Sequence, residues 1–247
     1  MLIWRSAWPS DVVRRFFNLA VLALTAAMLP TASSLAQDFH AKVTVQRTAA
    51  GDKVAGNANV VLWLTPVGSS PPPGPVIHPR LVQKNKRFEP HLLVVPVGTV
   101  VEFPNQDPFF HNVFSLYKGK RFDLGLYEAG SSRAVRFDRP GVSFIFCNIH
   151  PEMSAAVVAL ETPYYGISTN AGEVHIRDVP PGRYRLEVWD ERSSPEALGR
   201  LARQISIPSE GPVMTFEVPE VIAASVPHKN KYGADYDKSS GYPNKPD

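Results

Sequence analysis

The stretch Cys147-Asn148-Ile149-His150-Pro151-Glu152-Met153 carries a thiol, an imidazole and a thioether at regular spacing, and Cys147 is the sole cysteine of the chain. A thiolate is a soft ligand, an imidazole a borderline one and a thioether a weak one. Together they suit copper, whereas calcium and magnesium take oxygen ligands. Two histidines and a cysteine in a trigonal plane, with a distant axial methionine, form the mononuclear electron-transfer copper site. Its second histidine has to come from elsewhere, and His111 in Phe109-Phe110-His111-Asn112-Val113 is the candidate. The competing reading is plain packing, since cysteine is often buried and methionine fills gaps in cores. Against it, residues 37–247 contain just two methionines, and one of them falls at ligand spacing from Cys147. A closed ligand set leaves no position for a substrate, so the expectation is an electron carrier rather than an enzyme. A single cysteine also excludes a binuclear two-cysteine copper centre. No Ser/His/Asp arrangement and no Gly-rich phosphate loop stands out.

The elements that must hold these residues read as strands. Pro (24) and Gly (16) are scattered and separate short runs rich in Val, Ile, Phe and Tyr, the pattern of an all-β chain. Lys42–Gln46 alternates, while Asn59–Leu64 is continuously apolar and so more central. Further strands are expected at His91–Val95, Thr99–Phe103, His111–Leu116, Ser132–Phe137, Val142–Phe146 and Ala155–Leu160. Glu173–Arg177, Arg183–Trp189, Gln204–Ile207 and Val213–Val218 complete the set. Cys147 therefore ends a strand, and His150 and Met153 lie on the loop returning to the next one. The best helix start is Ser194-Pro195, a capping residue followed by proline at the first helical position. His91, ahead of an apolar strand, reads as structural. His78, His175 and His228 have no partner at ligand spacing, and His40 sits near the expected mature start. Phe109 and Phe110 are either core or an apolar rim beside the metal.

The two ends read differently from the middle. Arg14-Arg15, the apolar run Phe16–Leu29 and Ser34-Leu35-Ala36 form a charged, an apolar and a cleavage region. Residues 1–36 are thus a signal peptide for Sec export, with the twin arginines leaving the folded-export route open. The mature chain is then periplasmic or secreted and does not span a membrane. Three basic residues and one acid lie in this segment, so cleavage takes the net charge from +3 to about +1. That near-neutral balance, with no basic patch, excludes a nucleic-acid partner. Residues 221–247 lack apolar periodicity and are expected to be a disordered tail.

Residues 76–163 resemble the cupredoxins, the type 1 blue-copper family. The matching features are Phe88-Glu89-Pro90 before a strand, Gly98 before Thr99-Val100-Val101-Glu102-Phe103, Asn105, and His111-Asn112. Pro140-Gly141 before the cysteine strand and the Cys147/His150/Met153 spacing complete the match. The spacing is more similar to amicyanins than to plastocyanins. The resemblance implies a Greek-key β-sandwich with one type 1 copper per chain on His111, Cys147, His150 and Met153. It also implies that Asn112 braces the ligand loop. The sequence departs from the pattern at Ile149, where the family has proline, and at Glu152. Lys42–Leu64 and Ala171–Trp189 resemble a carboxypeptidase-regulatory-like, transthyretin-type sandwich. The expected organisation is residues 37–75 and 164–220 forming this second small sandwich, with the cupredoxin-like part inserted between them; the rival is a linear order in which the first strands belong to the cupredoxin-like part. The implied role is single-electron transfer between periplasmic redox partners, with a dehydrogenase as donor and a cytochrome as acceptor. The alternative is a copper-binding, copper-sensing or carbohydrate-binding module.

Overall fold

In β11 (Ser154–Leu160) and β2 (Val61–Pro66), apolar side chains follow one another without alternation. A strand of this kind has to be covered on both faces. The computed structural model, which describes residues 35–47, 56–116, 119–209, 211–220 and 228–236, shows how that is achieved. The described residues are all-β apart from one short helix.

One sandwich is built from the two ends of the chain. β1 (Gln37–Arg47) lies between β13 (Glu173–Val179) and β16 (Met214–Glu220). The facing sheet runs β12 (Tyr165–Ile167), β2, β14 (Gly182–Trp189) and β15 (Arg203–Ile207). Val43, Leu62, Leu64, Ile176, Leu186 and Phe216 fill the space between them. The helix α1 (Pro195–Gly199) forms where the sequence placed it, with the Ser194 hydroxyl accepting the Ala197 N–H at 3.2 Å.

The middle of the chain forms the other sandwich. Its main sheet is ordered β5 (Leu92–Pro96), β11, β10 (Gly141–Cys147), β7 (His111–Ser115) and β8 (Phe122–Tyr127). Opposite stand two strand pairs, β3 (Val82–Lys84) with β4 (Arg87–Glu89) and β6 (Val100–Pro104) with β9 (Ser132–Arg136). Strands β1 and β2 thus pair with the last strands of the chain, and the middle set interrupts that sandwich between Pro66 and Tyr165.

The two sandwiches share a third core. Ala155, Val157 and Ala159 of β11 point into the middle sandwich. Ala156, Val158 and Leu160 point the other way, onto Val61, Trp63 and Trp189 of the second one. Period-2 geometry sends successive side chains to opposite faces, so a continuously apolar run is what a strand between two cores requires. His91 and Glu191 bridge the same boundary, with the ring Nε2 at 2.9 Å from both carboxylate oxygens.

β3, β4, β8 and β12 were not expected from the sequence. β3, β4 and β12 are too short to show a period. β8 carries Gly125 in its interior at φ +69°, a residue that weakens a strand pattern. Of residues 1–36, read as a signal peptide, 1–34 lie outside the described residues, and β1 begins at Gln37. Among the described residues no helix is long and apolar enough to cross a membrane.

One expectation is corrected. Residues 228–236, read from the sequence as disordered tail, pack on the middle sandwich: Asn230 is buried, and the His228 ring stacks on Phe146 at 3.8 Å. The segment docks through rings and hydrogen bonds instead of an apolar stripe, so periodicity could not reveal it. Residues 221–227 and 237–247 lie outside the described residues.

Candidate metal centre

β7 and β10 are antiparallel neighbours, with Cys147 opposite Val113. His111 lies two residues from Val113 on the same face, so it is the diagonal neighbour of Cys147, within reach of a long side chain. The chain then turns, and Met153 closes the loop by donating its N–H to the His150 carbonyl at 3.0 Å. The Cys147 N–H reaches the Met153 carbonyl at 3.3 Å. The turn brings His150 back over the end of its own strand.

The result is a converging set of ligand atoms. Cys147 Sγ lies 3.6 Å from His111 Nδ1 and 3.5 Å from His150 Nδ1, and the two Nδ1 atoms are 3.1 Å apart. A metal held in a plane at about 2.0 Å from nitrogen and about 2.3 Å from sulfur sets N···S near 3.7 Å and N···N near 3.5 Å. The sulfur distances fit, and the imidazoles need to part by only about 0.4 Å. The donor set of two imidazoles and one thiol therefore matches a first-row metal of soft to borderline character. His111, Cys147 and Met153 are fully buried and His150 is half-buried.

A metal bound here would have to displace the thiol proton. Burial pushes the Cys147 thiol up, outweighing the N–H groups of Asn112, Ile149 and His150 that favour the thiolate. Burial lowers His111, against the pull of Asp107, and it lowers His150 with the neighbouring His111 acting in the same direction. Both imidazoles are thus kept neutral, with lone pairs to give.

Asp107 fixes which lone pair His111 offers. The His111 Nε2–H donates to Asp107 Oδ2 at 2.9 Å, leaving Nδ1 to face Cys147 and His150. The same carboxylate accepts the N–H groups of Asn85 and Lys86 at 2.6 and 3.0 Å. Both residues have φ +54°, as a two-residue type I′ hairpin turn requires. Burial alone would raise the Asp107 pKa, but the Lys86 and Asn85 N–H groups and the His111 ring hold the carboxyl below its usual range. In the sequence Asp107 reads as part of the turn Asn105-Gln106-Asp107-Pro108. Its position four residues before a ligand candidate was the available signal.

Asn112 braces the loop, but through its backbone: its carbonyl accepts the Asn148 N–H at 2.9 Å. Its side chain turns away and donates to Asp123 Oδ1 at 2.6 Å. The Phe109 ring packs beside both histidines, 5.3 Å from His111 and 5.4 Å from His150. Phe110, 51% exposed, and Leu126, 58% exposed, border the open edge of His150 with Ile149 and Lys86. The two phenylalanines are thus a rim, with Phe109 half-buried. Glu152 is exposed.

The other histidines lie apart from this set. His91 is held by Glu191 and by the Ser154 carbonyl at 3.1 Å. His40 and His175 are exposed cross-strand partners whose rings meet at 4.4 Å, a pairing their sequence positions did not suggest.

No family model and no curated protein matches the chain. Solved structures do. A purple cupredoxin from Nitrosopumilus maritimus is 24% identical over 33% of this chain and 99% of its own, with a TM-score of 0.31. A reduced Cu(I) form of an amicyanin variant is 21% identical over 34% of this chain and 82% of its own, with a TM-score of 0.32. A copper-containing nitrite reductase from Thermus scotoductus SA-01 is 23% identical over 47% of this chain and 28% of its own, with a TM-score of 0.33. At this level of identity and superposition, what the site does has to be read from its own geometry.

Proposed function

We propose that the chain is an exported copper protein that binds one type 1 copper through His111, Cys147, His150 and Met153 and passes single electrons between periplasmic redox partners. The observation that carries this reading is the meeting of Cys147 Sγ with the Nδ1 atoms of His111 and His150 in a site closed to solvent except at His150. Export is supported by the charged, apolar and cleavage regions of residues 1–36.

Bound copper supplies a one-electron couple between Cu(I) and Cu(II). The residues do the rest. Cys147 and His111 sit on paired strands inside a packed core, so their positions change little between oxidation states. Asp107 holds the His111 tautomer. Met153, buried in the same core as Cys147, is read as the weak fourth ligand. The half-buried His150 is the ligand through which electrons enter and leave. Phe109, Phe110, Leu126 and Ile149 around it form an apolar face for a partner. A dehydrogenase donor and a cytochrome acceptor are the partners the family resemblance points to. The ligand set leaves no open position, and catalysis by the chain alone is not part of this reading. We read the second sandwich as a carboxypeptidase-regulatory-like spacer.

The test is a titration of the mature protein with Cu(II), read by visible absorption, beside Cys147→Ser. An intense thiolate-to-copper band that saturates at one equivalent and is lost in the variant is the expected outcome. Colourless binding that is unchanged in the variant would sink the reading.

A further inference from the structure

We propose that residues 228–236 are a working part of the metal centre, a strap whose Tyr236, His228 and Lys231 hold the Cys147–Met153 loop in ligand geometry. The proposal rests on the copper reading above and extends it to a segment outside both sandwiches.

The loop is weakly held from within. Its described backbone bonds are Met153 N–H to His150, Cys147 N–H to Met153, and Asn148 N–H to Asn112. Ile149, next to the ligand His150, leaves φ free, where a proline would fix it. The strap supplies the missing restraint on both sides of His150. Ahead of it, the Tyr236 hydroxyl donates to the Cys147 carbonyl at 3.0 Å, and the Lys231 N–H donates to Asn148 Oδ1 at 2.9 Å. Behind it, His228 Nε2 reaches the Pro151 carbonyl at 3.0 Å. The His228 ring also stacks on Phe146, the residue before Cys147, at 3.8 Å.

A restraint works only if it is itself rigid, and this one is. The buried Asn230 accepts the N–H groups of Tyr232 and Ala234 on its side-chain oxygen, both at 3.0 Å. Its backbone N–H and carbonyl bond to Ala234 and Gly233, each at 2.9 Å. Gly233 has φ +81°, which only glycine adopts without strain. The turn is pinned to the sheet by Lys231 Nζ, 2.8 Å from Asp123 Oδ2. Asp123 also accepts Asn112 Nδ2, and Asn112 follows His111. The strap therefore ties the cysteine loop to the strand that carries the other histidine. Holding ligands in place before a metal arrives lowers the ordering cost of binding and slows metal loss.

The experiment uses the full chain, wild type beside Tyr236→Phe and the double variant His228→Ala/Tyr236→Ala. In metal-free protein the rate of Cys147 reaction with a thiol reagent is measured. In protein loaded with Cu(II), release to a chelator and the position of the thiolate-to-copper band are followed. Thermal unfolding of each variant serves as the control for global damage. The expected result is that the double variant reacts and releases copper about tenfold faster, the change that losing two ordinary hydrogen bonds brings. Tyr236→Phe falls between, the band shifts, and the unfolding midpoint stays within a few degrees. Either rate unchanged in the double variant overturns the proposal. So does a rate increase accompanied by a matching collapse of the unfolding midpoint. If the wild type shows no thiolate-to-copper band, the copper reading fails, and the thiol rate still decides whether the strap holds the loop.

Discussion

Asp107 shows how one carboxylate is used three ways: it orients His111, closes the Asn85–Lys86 turn and ties that hairpin to the main sheet. Replacing it leaves two backbone donors and a buried imidazole without their partner. Asp107→Ala is therefore expected to cost about 2–4 kcal/mol of stability, measured by urea unfolding. The same variant is expected to weaken metal binding by about 10- to 100-fold in a competition titration, because the partner that orients a ligand histidine is lost. Asp107→Asn keeps the size and one acceptor, and a smaller loss on both readouts is expected. The carboxyl is held below its unfolded pKa, so its contribution is full above that value and disappears as pH falls through the folded one.

At the scale of elements, the joint between the sandwiches carries its own pH dependence. The bond to Glu191 raises the His91 pKa above 6.5, against the effect of burial. A group raised on folding stabilises fully below its unfolded pKa, and that contribution is lost as pH rises through the folded value. Stability is thus expected to fall as pH rises above about 6.5, the ordinary imidazole value, and His91→Gln is expected to flatten the profile in chemical unfolding. The pair is partly exposed to solvent, which keeps the effect small.

At the scale of the whole molecule, the shared core is expected to make the two sandwiches unfold as one unit. Val158 is buried between Val61, Trp63 and Trp189 on one side and the sheet that holds the metal site on the other. Val158→Ala is expected to destabilise the protein by about 1–3 kcal/mol. The test is unfolding followed by fluorescence of Trp63 and Trp189, in the second sandwich, and by the thiolate-to-copper band, in the first. Coincident shifts in the two signals are expected, and a shift in one alone would show that the halves unfold independently. Partner docking belongs to this scale too, since the exposed Phe110 and Leu126 rim is assembled from β7, β8 and their flanking loops.

The sequence by itself determined what depends on residue type and local period. The ligand chemistry lay in the spacing of Cys147, His150 and Met153, because residues so close in the chain share one short loop. Most strands followed from their apolar patterns, and the unbroken apolar run of β2 marked a central strand. Tertiary structure alone decided what depends on distant pairing. It brought His111 to Cys147 through strand register, made Asp107 its partner, and sent the Asn112 side chain to Asp123 instead of the loop. It also placed 228–236 against the ligand loop. That segment binds by single hydrogen bonds and one stacked ring, and such contacts leave no periodic trace in a sequence.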